Sequence, residues 1–155
     1  DIACATADSP LVYNFNDADP QILPISYEPE FKEKLFFIYL NQKQDSRESI
    51  ASFNPEHLTD ENRDFLNEMP KHFLETEDDL EAFEEVVYRH EKIIGELIGA
   101  TPIKERLFPD YRGAVKSLGG WGGDYILVTG TAESINYFKQ KGYSQILSWK
   151  DVVIG

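Results

Sequence analysis

The longest unbroken apolar run, Leu35-Phe36-Phe37-Ile38-Tyr39-Leu40, reads as a central strand buried on both faces. Ahead of it, Leu11 to Phe15 and Gln21 to Ser26 alternate as strands, with Asn16-Asp17-Ala18-Asp19-Pro20 as the turn between them. Small residues from Asp1 to Ala7 read as a packed turn or a helix start. Beyond the run, Asn41 to Gln44 is a polar loop. Asp45 opens a short helix with Glu48 three residues later, as in a capping box, and Asn54-Pro55 stops it. Thr59 caps a second helix, whose end Pro70 marks. The longest helix is expected from Glu77 to Ile98, capped by Thr76 and closed by Gly99. Its apolar stripe is Leu80, Phe83, Val87, Ile94 and Leu97/Ile98, and the acidic residues between them read as a solvated face. Thr101 to Asp110 is a connecting segment broken by Pro102 and Pro109. Gly113 to Leu118 and Asp124 to Thr129 follow as strands. Thr131 then caps a helix from Ala132 to Lys141, and Ser144 to Trp149 is the last strand, with a short apolar tail at Val152 to Ile154.

The connection between the two late strands stands out. Gly119, Gly120, Gly122 and Gly123 surround Trp121, and two-residue turns between strands need no more than one or two glycines. Glycine permits φ > 0 and close backbone approach, so a ligand or another segment of chain is expected to press on this backbone. The plain alternative is a bulged hairpin whose tryptophan covers a sheet face. Because it joins strand to strand, this loop is neither a dinucleotide fingerprint nor a Walker loop.

Strands and helices mixed in this order define an α+β layer, an antiparallel sheet with helices on one face, and a ferredoxin-like arrangement is the simplest topology. Glu28-Pro29-Glu30 is the candidate domain junction, dividing residues 1–30 from a domain at 31–155.

Charge narrows the function. Lys plus Arg is 15 against 28 for Asp plus Glu, a net −13 over 155 residues, which disfavours nucleic-acid and membrane-surface binding. A local cluster of donors can still hold a small anionic substrate. One cysteine, Cys4, allows no internal disulfide and fits a reducing, cytoplasmic setting; an inert buried thiol is its simplest role. His90 borders the long helix's stripe as a core or boundary histidine, while His57 and His72 sit in polar contexts, and no two histidines have metal-ligand spacing. The opening Asp1-Ile2-Ala3-Cys4-Ala5, small and apolar with no Met, reads as the continuation of a longer polypeptide.

Two of these landmarks carry a resemblance. Asp1-Ile2-Ala3 is similar to the end of the Gly-Tyr-Asp-Ile-Ala signature of a bacterial branch of the GHMP kinases, and Leu118 to Asp124 resembles that superfamily's third, glycine-rich motif. Here Leu118 replaces the usual Thr, and Trp121 stands where glycine is common. The strand Leu35 to Leu40 and the loop that follows match a strand and substrate-side loop of the family. The resemblance implies the C-terminal portion of an ATP-dependent, mevalonate- or phosphomevalonate-type kinase using ATP and Mg2+, with the ATP loop in an N-terminal portion of the same protein. It further implies that Asp1 orients the acceptor hydroxyl and takes its proton. Gly119, Gly120, Gly122 and Gly123 would then floor the cleft, and Lys43, Arg47 and Lys116 would supply cations for a small anionic substrate. These 155 residues alone are expected to be inactive. The competing classes are a non-enzymatic ferredoxin-like ligand-binding or interaction module, and a degenerate kinase kept as a scaffold.

Overall fold

The structure is a computed structural model describing residues 7–16, 19–41, 51–119, 121 and 124–153. The helix expected from Asp45, with Glu48 in its cap, lies outside the described residues, as do Asp1 to Thr6 and Ile154.

Two sheets form. Strands β1 (Leu11–Asn16) and β2 (Asp19–Pro24) pair antiparallel in a hairpin of their own; β1 runs one residue further than the alternation predicts, and β2 begins and ends two residues earlier than Gln21 to Ser26. The main sheet contains β3 (Leu35–Tyr39), β4 (Val115–Ser117), β5 (Tyr125–Thr129) and β6 (Ile146–Ser148). Its order is β4-β5-β3-β6, with every neighbouring pair antiparallel. The apolar run therefore is the inner strand its composition demanded, held between β5 and β6. Counted within this sheet, its first and third strands (β3 and β5) lie in the middle and its second and fourth (β4 and β6) outside, which is the ferredoxin-like order of a split β-α-β pair. The α+β class expected from the sequence is the one observed.

The helices fall mostly between β3 and β4. They are α1 (Asp60–Asn67), α2 (Met69–Glu75), α3 (Leu80–Ile98) and α4 (Ile103–Leu107), with α5 (Asn136–Gln140) and α6 (Trp149–Val152) later. Thr59 caps α1 by accepting from the Asn62 N–H, and Gly99 closes α3 at φ 64°. Pro70 does not end a helix. It sits in the first turn of α2, where its missing N–H would have no partner anyway. The cap of α3 is Asp79, which accepts from the Ala82 N–H, and not Thr76. Thr76 instead closes α2, buried, with its hydroxyl donating to the Phe73 carbonyl. Between Pro102 and Pro109 the chain makes α4, because Pro102 occupies the cap position and does not interrupt the helix that follows. The late helix is shorter than expected: the Thr131 hydroxyl accepts from Ser134 in a turn, and α5 starts only at Asn136.

Packing covers both faces of the main sheet. Phe36, Ile38, Ile126 and Val128 point one way, against Phe108 and Phe138 near α4 and α5. Leu35 and Leu127 point the other way, against Phe83 and Val87 of α3. The helical cover is thus two-sided where one face was expected, because α3 and α4 lie on opposite sides of the sheet. A third cluster joins α3 to α1 and α2 through Phe65, Met69, Ile93 and Leu97. Pro29, at the expected domain junction, is fully buried, and the Glu30 N–H donates to the Glu77 carbonyl at 2.8 Å.

Candidate functional site

The glycine-rich connection leaves β4 at one end of the sheet. Leu118 N–H still donates to the Tyr125 carbonyl at 3.1 Å, so the strands stay paired up to the point of departure. Gly119 then takes φ +65°, a conformation L side chains rarely adopt. Trp121 does the same at φ 58°, which is uncommon for a residue with a bulky side chain. Its ring reaches α3. A Cβ built on Gly95 would lie 3.2 Å from Trp121 Cη2, 3.3 Å from Pro102 Cδ and 2.7 Å from the Ala100 carbonyl oxygen. Gly95 is thus the bare patch of helix that admits the indole. Of the two expected sources of pressure on this loop, chain contact is present at Trp121. The indole Nε1 is enclosed with no hydrogen-bond partner among the described residues.

The loop after β3 starts at the same end. Leu40 N–H donates to the Asp124 carbonyl at 2.8 Å, and Tyr39 pairs with Tyr125, their rings 5.1 Å apart. Asn41 follows in the left-handed region at φ 54°. Lys43 and Arg47 themselves, with Asp1, Gly120, Gly122 and Gly123, lie outside the described residues.

Lys116 is described, and it is not a free surface cation. It faces the same side of the sheet as its partner Leu127, with Val115 and Ser117 on the other side. Its ammonium lies 3.2 Å from His90 Nδ1, 3.4 Å from the Ser117 carbonyl oxygen and 3.8 Å from Glu91 Oε1. A neutral His90 with its proton on Nε2 can accept from it. Glu91 is 3% exposed, and its other oxygen accepts from the Ser117 hydroxyl at 2.8 Å. Burial pulls the Lys116 pKa below its ordinary value, with Glu91 opposing. Burial likewise lowers His90; the Lys116 charge adds to this, and Glu91 opposes it.

Glu91 was read as part of a solvated face, and that reading is corrected. It lies four residues after Val87 on the buried stripe, and its partner Ser117 comes from a distant strand. The spacing alone was the available signal. Among the described residues no group of three or more His, Cys, Asp or Glu side chains is placed to hold a metal ion.

Lys116 and Leu118 also border a groove of about 330 Å3 on the β3–β5 face. Pro10, Leu11 and Val12, at the base of the hairpin, line it too, so the chain just after residues 1–6 shares this groove with Leu118, which opens the glycine connection.

No family model matches the sequence, and no curated protein does. A solved structure does: the crystal structure of a Lin0012 protein from Listeria innocua, at 18% identity and a TM-score of 0.58 over 83% of this chain. At that identity the likeness shows the fold. The match takes in 43% of the other chain, so this sequence spans less than half the length of the protein it resembles. Among the described residues no helix is long and apolar enough to cross a membrane.

Proposed function

We propose that this chain is the acceptor-side, C-terminal part of a GHMP-type ATP-dependent small-molecule kinase, acting on a mevalonate- or phosphomevalonate-like hydroxyl or phosphate acceptor. One observation carries the reading. The glycine-rich connection and the loop that leads to Lys43 and Arg47 leave the same end of the sheet, joined by the Leu40 to Asp124 hydrogen bond. Phosphoryl transfer depends on alignment and charge neutralisation, and two loops converging at one sheet end can supply both. ATP and Mg2+ enter only as the family resemblance implies, with their ligands in an N-terminal portion; the described residues offer no ligand set for the metal. In this reading Asp1 orients the acceptor, and the Lys116 cluster is the rigid floor beneath the glycine connection.

The test is ATP consumption by the full-length protein over mevalonate, phosphomevalonate, homoserine and galactose, beside the isolated 155-residue chain. Turnover with one acceptor by the full-length protein, and none by the isolated chain, is the expected pattern. No turnover with any acceptor removes the kinase reading. A second reading, a non-enzymatic ligand-binding module, is favoured by the apolar groove beside Lys116. It predicts binding without turnover.

A further inference from the structure

We propose that the groove on the β3–β5 face binds a medium-chain aliphatic carboxylate, its chain lying across the sheet and its head at Lys116. This does not depend on the kinase reading, since it uses no nucleotide and none of the residues assigned to phosphoryl transfer except Lys116.

The walls are apolar. Leu35 and Leu127 form the floor, Phe73, Leu74 and Phe83 of α2 and α3 one side, and the base of the hairpin the other. Lys116 is the only charged side chain among the described lining residues. A groove of about 330 Å3 is at the small end of ligand sites. It holds roughly ten non-hydrogen atoms at the volume per heavy atom of a liquid, about 30 Å3.

Shape and charge then select the ligand. Lys116 stands on the outer strand β4, and the far margin is closed by Tyr27 and Trp149, whose ring centroids are 6.2 Å apart. Trp149 directly follows β6, so the groove crosses the width of the sheet. Three strand spacings come to about 14 Å, which suits an extended chain better than a compact ring. The lysine has three N–H donors. Two face His90 Nδ1 and the Ser117 carbonyl, and the nearest carboxylate oxygen, Glu91 Oε1, is at 3.8 Å, too far to accept a hydrogen bond. Glu91 already accepts from Ser117. One donor is left for a monoanionic head. Glu91 already shares this ammonium, so a carboxylate head adds one negative charge beside it and a dianionic phosphate would add two, with no second cation among the described lining residues to compensate either.

The experiment is calorimetric titration of the full chain with decanoate, decan-1-ol and butanoate, each below the concentration at which it self-associates. Decanoate binds with one molecule per chain, and decanol and butanoate bind at least tenfold more weakly. Lys116→Met lowers decanoate affinity to the level of decanol. Val12→Trp, at the half-buried hairpin wall, blocks both while leaving the far-ultraviolet dichroism unchanged. Absence of decanoate binding overturns the proposal, as does equal affinity for decanoate and decanol in the unsubstituted protein. That second comparison needs no variant to fold. Kinase activity in the acceptor panel leaves either outcome untouched, so the two proposals fail separately.

Discussion

Glu91 Oε2 accepts a 2.8 Å hydrogen bond from Ser117 Oγ, tying the middle of α3 to the last residue of β4. The bond holds the helix to the strand just before the glycine connection departs. Glu91 is 3% exposed, and beyond its bond to Ser117 the nearest cation is the Lys116 ammonium, 3.8 Å away.

Removing the carboxylate therefore strands a buried ammonium. Glu91→Ala is expected to cost on the order of 3 kcal/mol, because an uncompensated buried charge is more expensive than the pair is favourable. Glu91→Gln leaves the same ammonium uncompensated but can still accept from Ser117, so it is expected to cost about 1 kcal/mol less than Glu91→Ala. The double variant Glu91→Met with Lys116→Met should recover most of the loss. Urea midpoints at unchanged m-value are the measurement. A Glu91→Ala protein as stable as the parent would show that the cluster contributes nothing.

Backbone crowding gives a second test at Gly113. A Cβ there would sit 2.0 Å from the Thr129 carbonyl oxygen and 2.9 Å from Thr129 Oγ1. That carbonyl accepts from the Tyr111 hydroxyl at 2.7 Å, and Thr129 Oγ1 accepts from the Ala114 N–H at 2.7 Å, so neither can retreat without breaking a buried bond. Gly113→Ala is expected to destabilise by about 3 kcal/mol. In a chain of this size that lowers the melting temperature by roughly 10 °C. A shift under about 2 °C would mean that β4 and β5 separate more easily than this packing allows.

Local patterns carried the fold further than they carried the site. Leu35 to Leu40 was legible as an inner strand because an unbroken apolar run too short for a helix suits a strand covered on both faces, as this one is. Gly99 was legible as a helix end because the left-handed position has few other occupants. The start of α3 slipped from Thr76 to Asp79 because several good caps follow one another there, and buried Thr76 is used by the preceding helix. At the site, the excess of glycine marked the right connection. What Trp121 rests against was invisible, since Gly95 belongs to a helix interior where glycine looks like a weakness and not a landing place. Glu91 was hidden for a related reason: a carboxylate on a helix reads as solvated until its distant serine is known.

The Trp121 to Gly95 contact is measurable by light. In a Trp149→Phe background Trp121 is the one remaining indole, and its emission should be blue-shifted because its ring edge is enclosed against α3. Gly95→Ala puts a methyl 3.2 Å from Cη2 and 2.7 Å from the Ala100 carbonyl oxygen, which the helix end cannot easily surrender. The ring should move outward and the emission shift to the red, with faster quenching by acrylamide. Unchanged emission would mean that the indole does not depend on the bare helix surface. If the connection serves the kinase reading, the same substitution should raise KM for the acceptor more than it lowers kcat, since it displaces a cleft wall and removes no reacting group.

Acid should loosen the cluster through His90. Burial, chiefly, holds its pKa below the ordinary 6.5, and the Lys116 charge adds to the depression while Glu91 opposes it. The unfolded chain therefore binds this proton more readily than the native one does. Stability linked to His90 is complete above pH 6.5 and is lost as pH falls through the depressed native value. Substituting His90→Gln removes the titration while keeping a side chain able to accept from the Lys116 ammonium. Between pH 7.5 and pH 5 the urea midpoint of the parent should fall more than that of His90→Gln, the difference growing toward the acid end. Lys116 has its own depressed pKa, so its linked stability is complete only above the ordinary 10.5 and falls away as pH drops through the native value. The Lys116 slope begins on the alkaline side, below pH 10.5, and is read from a series extended upward to that pH, apart from the acid limb that reports His90. Parallel curves for parent and His90→Gln across the acid range would show that His90 is solvated in the native protein and outside the cluster.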